Sequence, residues 1–262
     1  MAKTARIRSQ HEAGFVAGVD GCPAGWVCAL VPCMIAGSTI ELDPTGARLQ
    51  LVERFSDILN LPEAPRTIAI DIPIGLPDQI GPGGRGCDTA ARSVLGARQS
   101  AVFAMPSRDA VMAESYGEAC DRAYATSDPP RKISKQAFNL FKKVREVDSV
   151  MTPELQNRVF ECHPELAFWA LNGRKPLETP KKIKSRPNPE GLKYRRDLLA
   201  GVSFSRQLLE ERPFLAREAG PDDLLDAIVN AWAAGRIANG EGVRFPDTPD
   251  RDRKGLRIEI WG

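Results

Sequence analysis

Four aspartates have the types and spacing from which a hard-cation site can be built. Asp20 closes the apolar run Phe15-Val16-Ala17-Gly18-Val19, and Asp71 closes a second run, Ile68-Ala69-Ile70. Asp223 and Asp226 lie three apart, one helical turn, at the start of a long apolar-periodic segment. Two strand-end carboxylates and a helix pair supply oxygen ligands of the kind Mg²⁺ or Mn²⁺ takes, and two such ions could flank a phosphate. Taken singly, each aspartate reads as a turn residue or a helix N-terminal charge. The order strand-Asp, strand-Asp, helix pair is what points to chemistry. Glu161 is a further candidate, an extra ligand or proton shuttle beside His163 and Glu165. It reads equally as a polar strand end fixing the turn at Pro164, and His163 as a hydrogen-bonded structural histidine.

Apolar periodicity predicts the elements that must position these residues. Strands are expected at 15–20 and 26–31, joined by a turn through Gly21, Pro23 and Gly25, and at 48–53. A short helix at 55–60 leads to a continuous apolar strand, 67–72, of the kind buried on both faces. Helices are expected at 87–96, 107–126 and 132–150, then a strand at 158–162 and a helix at 165–171 opened by Pro164. A Pro-rich basic loop at 174–191 precedes helices at 191–211 and 221–239, and 256–261 suits an edge strand. Segment 33–47 reads as irregular. Three antiparallel strands followed by parallel ones, with helices on both faces, make an α/β, RNase H-like mixed sheet. We expect a disordered tail at 1–13 and one domain over 14–262, with a helical insertion at about 84–157.

Composition narrows the function classes. The chain has 262 residues, 42% of them hydrophobic, and a net charge of +2, so no global field draws in nucleic acid and any basic surface must be local. No apolar run is long enough to span a membrane. The first residues are polar and basic and do not resemble a signal peptide, which leads us to expect a cytoplasmic protein. The six cysteines form no CxxC pair and the histidines number two, so a structural zinc site is not expected. Reduced, buried thiols are the simplest reading. Basic residues gather in loops near the expected strand ends. Arg85, Arg98 and Lys182 are candidate phosphate contacts, with a solvated charged face as the plainer alternative. Aromatic residues are 6% of the chain, too few to suggest a stacking platform for single strands.

The motifs GVDGCPAGWV (18–27), IAIDIPIGLPD (68–78), RGCDTAARSVLG (85–96), SAVFAMPSR (100–108), SKQAFNLFKKVREVD (134–148), ECHPELAFWALNG (161–173) and DDLLDAIVNAWAAGRI (222–237) resemble, in order, domain-of-unknown-function family 429. That family is usually described as predicted RNase H-like nucleases, and the resemblance runs from Gly18 to Trp261. The DxxDA at 223–227 is also similar to the helix motif of RuvC-type junction resolvases. There Asp20 matches the first-strand acid, and Asp71 stands where those enzymes usually have glutamate. The resemblance implies metal held by Asp20, Asp71 and Asp226, with Asp223 supplementing them, and a nucleic-acid partner: DNA, RNA or a branched junction, the last favouring a homodimer.

Three functions compete at this point. The first is a metal-dependent nuclease or related phosphodiester hydrolase. The second is a non-catalytic nucleic-acid-binding or scaffold protein that keeps its acids for folding. The third, an actin-like nucleotide-phosphate hydrolase, is suggested by the Asp20-Gly21 turn but wants a second phosphate loop, which the sequence lacks.

Overall fold

The computed structural model describes residues 11–184 and 186–262, so most of the expected tail, 1–10, and Ser185 of the basic loop lie outside the described residues. Residues 11–13 are already part of the first strand. The chain opens with β1 (His11–Cys22), β2 (Gly25–Ala36), β3 (Thr39–Leu42), β4 (Arg48–Val52), α1 (Phe55–Leu59) and β5 (Thr67–Ile70). A helical stretch follows: α2 (Gly86–Val94), α3 (Arg108–Val111), α4 (Tyr116–Ala125) and α5 (Lys135–Val150). Then come β6 (Val159–Glu161), α6 (Pro164–Leu171), the two-residue strands β7 (Lys182–Ile183) and β8 (Arg186–Pro187), α7 (Pro189–Gly201) and α8 (Arg206–Glu210). The chain ends with α9 (Pro221–Ala238), β9 (Arg244–Arg251) and β10 (Arg257–Trp261).

The result is an α/β fold on a mixed sheet of order β3-β2-β1-β5-β6, with β4 also on β2. β1 pairs antiparallel with β2 and parallel with β5, and β5 parallel with β6. The third strand expected at 48–53 is β4. Segment 33–47, expected to be irregular, instead extends β2 and holds β3, which pairs with the far end of β2 while β4 takes the near end. A 3-10 turn at Pro44–Gly46 separates the two. β9 and β10 form an antiparallel pair, and a bridge from Cys162 to Trp261 joins β10 to the end of β6.

Side-chain alternation with period two sorts the sheet into two faces. Val16 and Cys22 of β1, Val27, Ala29 and Val31 of β2, and Ala69 and Cys162 belong to a core shared with α6, α7 and α9. Ala17 and Val19, Trp26, Cys28 and Leu30, and Ile68, Ile70 and Val159 belong to another, closed by α1, α5 and the 70–113 segment. Asp20 and Asp71 continue the first series; Glu161 continues the second. This parity decides which acids can meet.

α9 is the element that completes the first face. Pro221 opens it after Gly220, acids fill its first turn, and Arg236 sits in its last turn, each suited to the helix dipole. The helix lies directly on β1 because Gly18 has no side chain. A Cβ there would fall within the backbone of Ala227 and Ala231. Asn230, fully buried, donates from Nδ2 to the Val19 carbonyl at 3.2 Å and fixes the helix along the strand.

Candidate functional site

The sheet brings Asp20 and Asp71 to neighbouring strand ends. Val19 and Ile70 are register partners, so the two aspartates leave the sheet one position later on the same face. The Asp71 amide donates to the Val19 carbonyl at 2.9 Å, the same oxygen that holds Asn230. One helical turn before Asn230, α9 presents Asp226, and one turn earlier still, Asp222. Asp20, Asp222 and Asp226 are 6%, 3% and 2% exposed, so solvent does little to screen them from one another.

Their charges act on one another. Burial, and then the charges of Asp226, Asp71 and Asp223, push the Asp20 carboxyl well above the ordinary carboxylate range. Burial likewise raises Asp226 to about 7, with Asp222 and Asp71 adding repulsion and Lys181 opposing it. Burial raises Asp223 against a stabilising backbone hydrogen bond from Gly220.

Two lysines enter from the loop after α6. Lys181 Nζ donates to Asp226 Oδ2, and Lys182 Nζ pairs with Asp222 Oδ2 at 2.6 Å. The other Asp226 oxygen, Oδ1, is buried and has no hydrogen-bond partner among the described residues. Burial works against the Lys181 charge, but Asp226, Asp20 and Asp222 together raise its pKa, so it stays an ammonium. From the opposite side, Lys143 of α5 lies over the Trp26 ring, 4.3 Å from its centroid, and reaches the Gly25 carbonyl.

Several expected site residues are placed elsewhere. Glu161 projects from the opposite face of the sheet, as its pairing with Ile70 dictates. There Arg85 grips it through Nη2–Oε1 at 2.6 Å and Nη1–Oε2 at 2.8 Å. Arg85 also chelates Asp88 Oδ1 and reaches the carbonyls of Ile74 and Gly75. It is 2% exposed, and its guanidinium is committed to these partners rather than turned to a phosphate. Arg98 sits half-buried in the 3-10 turn Gly96–Ala101, with no interaction joining it to the aspartates among the described residues. Lys182 does stand at the aspartates, as the exposed partner of Asp222. Asp223, expected to supplement the other three, stands close enough for its charge to raise the Asp20 carboxyl, while its own carboxylate accepts the Gly220 amide at 2.8 Å and closes the start of α9. His163 caps α6, its Nδ1 accepting from Glu165 at 3.2 Å.

Sequence reasoning passed over Asp222, and it placed Lys181 only in the basic run 181–186 near the strand ends, not opposite Asp226. Asp222 was legible: it precedes Asp226 by four and Asn230 by eight, the spacing of one helical stripe. The position of Lys181 was not, because tertiary contacts alone set it.

As it stands, no group of three His, Cys, Asp or Glu side chains among the described residues is arranged to hold a metal ion. The reason is visible: Asp226 Oδ2 is turned to Lys181, Asp222 to Lys182 and Asp223 to its own helix start. The donor set nevertheless suits a hard cation. It consists of carboxylates only, they repel one another, and one buried carboxylate oxygen has nothing to bind.

A family model described as protein of unknown function (DUF429) matches residues 18–251. The chain belongs to that family. Comparisons with curated proteins and with solved structures give no match.

Proposed function

We propose that this protein is a metal-dependent nuclease or related phosphodiester hydrolase with an RNase H-like fold. Asp20, Asp71 and Asp226 would hold Mg²⁺ or Mn²⁺. The strand order, with β1 central between an antiparallel meander and parallel β5 and β6, supports the fold assignment. The observation that carries the function is Asp226 Oδ1, buried and unpartnered beside Asp20 and Asp71. An unpaired carboxylate oxygen in such a place costs free energy unless a cation meets it.

When bound, the ion supplies Lewis-acid stabilisation of charge developing on a phosphate. The chain's own residues do the rest. Asn230 and the Gly18 contact hold α9 so that Asp226 faces Asp20. The cores on either side exclude water beneath the carboxylates. Lys182, Lys184 and Arg186 line the exposed β7–β8 hairpin, a local basic rim that suits a nucleic-acid backbone. A cytoplasmic location and a homodimer, should the substrate be a branched junction, belong to the same reading. One observation favours a second: Lys181 already neutralises Asp226, as it would in a scaffold that keeps its acids for folding.

Asp226→Asn separates the two, because it preserves size and removes one charge. Cleavage of a panel of duplex, hybrid, single-stranded and junction substrates should fall by about two orders of magnitude or more, as for loss of several kcal/mol of transition-state stabilisation. The fold should stay intact. Full activity in the folded variant, or no cleavage of any substrate by the wild type with Mg²⁺ or Mn²⁺, refutes the hydrolase reading.

A further inference from the structure

The helical stretch between β5 and β6 encloses a cavity of about 200 Å³ that the aspartate centre does not use. It exists because the side chains that meet there are small. Ala123 of α4 and Ala137 of α5, both buried, line it together with Ile80, Ala104 and Pro106. Its walls are tied by hydrogen bonds. The Met105 amide donates to Asp88 Oδ2 at 3.0 Å and holds the segment from Phe103 to Pro106. The Ile80 amide donates to the Thr126 carbonyl at 3.0 Å, and the Asp128 amide returns to the Ile80 carbonyl at 3.0 Å. Ser127 Oγ donates to the Ala123 carbonyl at 2.7 Å and accepts the Arg131 amide at 2.9 Å. The Tyr116 hydroxyl donates to the Ile133 carbonyl at 3.0 Å. The hollow is thus built into the fold, as ligand sites usually are.

The lining says what fits. Phe103 borders the cavity and is still 37% exposed, an aromatic face left partly in water. Arg131 and Lys132 also line it, and none of the lining residues is acidic. Arg131 is bonded through its backbone alone: among the described residues the side chains of Arg131 and Lys132 make no hydrogen bond and no ion pair. A free guanidinium offers a planar fork that a carboxylate meets with two parallel hydrogen bonds. Size sets the rest, since an apolar cavity of about 150 Å³ accepts a benzene ring. The larger groove between α6 and α7 makes no such selection. It is lined by both signs, Lys175 and Lys193 against Glu178, Glu190 and Asp197. We propose that the cavity between α4 and α5 is a binding site for a small aromatic carboxylate. The ring lies against Phe103 and the alanines, and the carboxylate sits on Arg131 with Lys132 beside it. This site stands apart from the hydrolase reading and does not rest on it.

The test is a titration of the full chain with 4-fluorobenzoate, read by fluorine nuclear magnetic resonance. Binding should saturate with a Kd of about 0.1–1 mM, as befits a ligand of this size. Fluorobenzene, which keeps the ring and lacks the charge, should bind about tenfold more weakly, and 4-fluorobenzylamine, with the opposite charge, should not bind. Arg131→Gln should weaken 4-fluorobenzoate about tenfold and leave fluorobenzene unchanged. Ala137→Leu fills the cavity from α5 and should abolish both. No saturation by about 10 mM 4-fluorobenzoate overturns the inference. So does equal binding of fluorobenzene, or a folded Arg131→Gln with unchanged affinity, since either would separate the charge from the site. A folded Ala137→Leu that still binds overturns the location. Should Ala137→Leu fail to fold, Ala104→Leu fills the same space from the other wall and decides in its place.

Discussion

The two faces of the sheet each carry a buried cluster of charge, and the clusters are built on opposite terms. On the insertion side, Arg85 meets Glu161 and Asp88, and every carboxylate oxygen is used. Asp88 Oδ2 takes the amides of Arg85 and Met105, both at 3.0 Å, and Glu161 Oε2 takes the Ile74 amide at 2.6 Å. On the α9 side, acids outnumber bases, repel one another and leave Asp226 Oδ1 without a partner among the described residues. A second network on the insertion side, Arg108 with Asp148 at 2.7 Å and Asp252 at 2.5 Å, ties α3 to α5 and to the segment between β9 and β10. Ion pairs whose carboxylate oxygens are all met, between elements distant in sequence, hold an architecture together. An unsaturated excess of one charge, placed where three elements converge, is what a ligand of opposite charge would complete. Both kinds contain the residue types that attract attention in a sequence, and strand parity alone separates them.

The sharpest way to break this contrast is Arg85→Ala. It strands the buried Glu161 and Asp88 charges, and breaking a buried pair from one side costs about 3–5 kcal/mol. Denaturant unfolding should show a loss of that size, while Mn²⁺ binding per folded molecule stays unchanged because the aspartates lie on the other face. A loss under about 1 kcal/mol, or selective loss of metal binding, would mean that Arg85 serves the site rather than the architecture.

Gly18→Ala tests the other side. The added Cβ meets the α9 backbone at Ala227 and Ala231, so the helix must lift from β1 and carry Asp226 away from Asp20. Overpacking of this kind costs about 1–3 kcal/mol. Here the larger signal should be metal affinity, since the helix and the ligand move together. Unchanged Mn²⁺ affinity in a folded Gly18→Ala would show that contact with β1 does not place the carboxylate.

These two residues also show what the sequence made legible. The strand-end aspartates were readable because the runs before them are apolar throughout, and only a strand buried on both faces needs that. Glu161 looked equivalent to them, and a register counted along β5 and β6 was needed to send it to the other face. β3 was obscured because a single residue of its four, Ile40, is buried and a proline turn follows. β9, with the sequence RFPDTPDR, carries two prolines and four charges and reads as loop; pairing with β10 makes it a strand. The helix expected over 107–126 breaks where Ser115 caps a new one. That over 191–211 breaks at Ser203, whose φ of 73° no helix accommodates, before Ser205 caps α8. The pairing of Lys181 with Asp226 left no local trace, since the residues that hold its loop, Asn188 on the Lys181 carbonyl and Arg195 on the Thr179 carbonyl, lie at the start and within the following helix.

The contrast also predicts opposite responses to pH. Asp20, Asp223 and Asp226 have their pKa values raised in the folded chain, Asp226 to about 7, above an unfolded value near 3.8. Between those values the folded state holds protons that the unfolded state has released. Stability from this cluster is therefore full below about pH 4 and is lost as pH rises towards 7. The metal-free wild type should lose stability across that interval relative to Asp226→Asn, as read from urea midpoints, and millimolar Mg²⁺ should flatten the difference. Parallel pH profiles for the two proteins without metal would sink the claim that the acids repel.

The smallest effect expected is that of Lys182→Ala, and it sharpens the difference between neighbouring lysines. Lys182 pairs with Asp222, but its side chain is 44% exposed against 27% for Lys181, and it stands at the start of the open hairpin, whereas the Lys181 carbonyl before it accepts the Asn188 amide at 2.8 Å. Water replaces an exposed ammonium at little cost, and ion pairs of this sort contribute about 0–1 kcal/mol. The urea midpoint should therefore hardly move. Asp222 keeps some compensation, because Lys181 also feels its charge. If the hairpin grips a nucleic-acid backbone, however, Lys182 is one of the phosphate contacts. Its removal should then weaken binding evenly across sequences and reduce the slope of log affinity against log salt by about one. A Lys182→Ala protein with an unaltered salt slope would leave Lys182 as the counter-ion of Asp222 alone and move the phosphate-facing rim to Lys184 and Arg186.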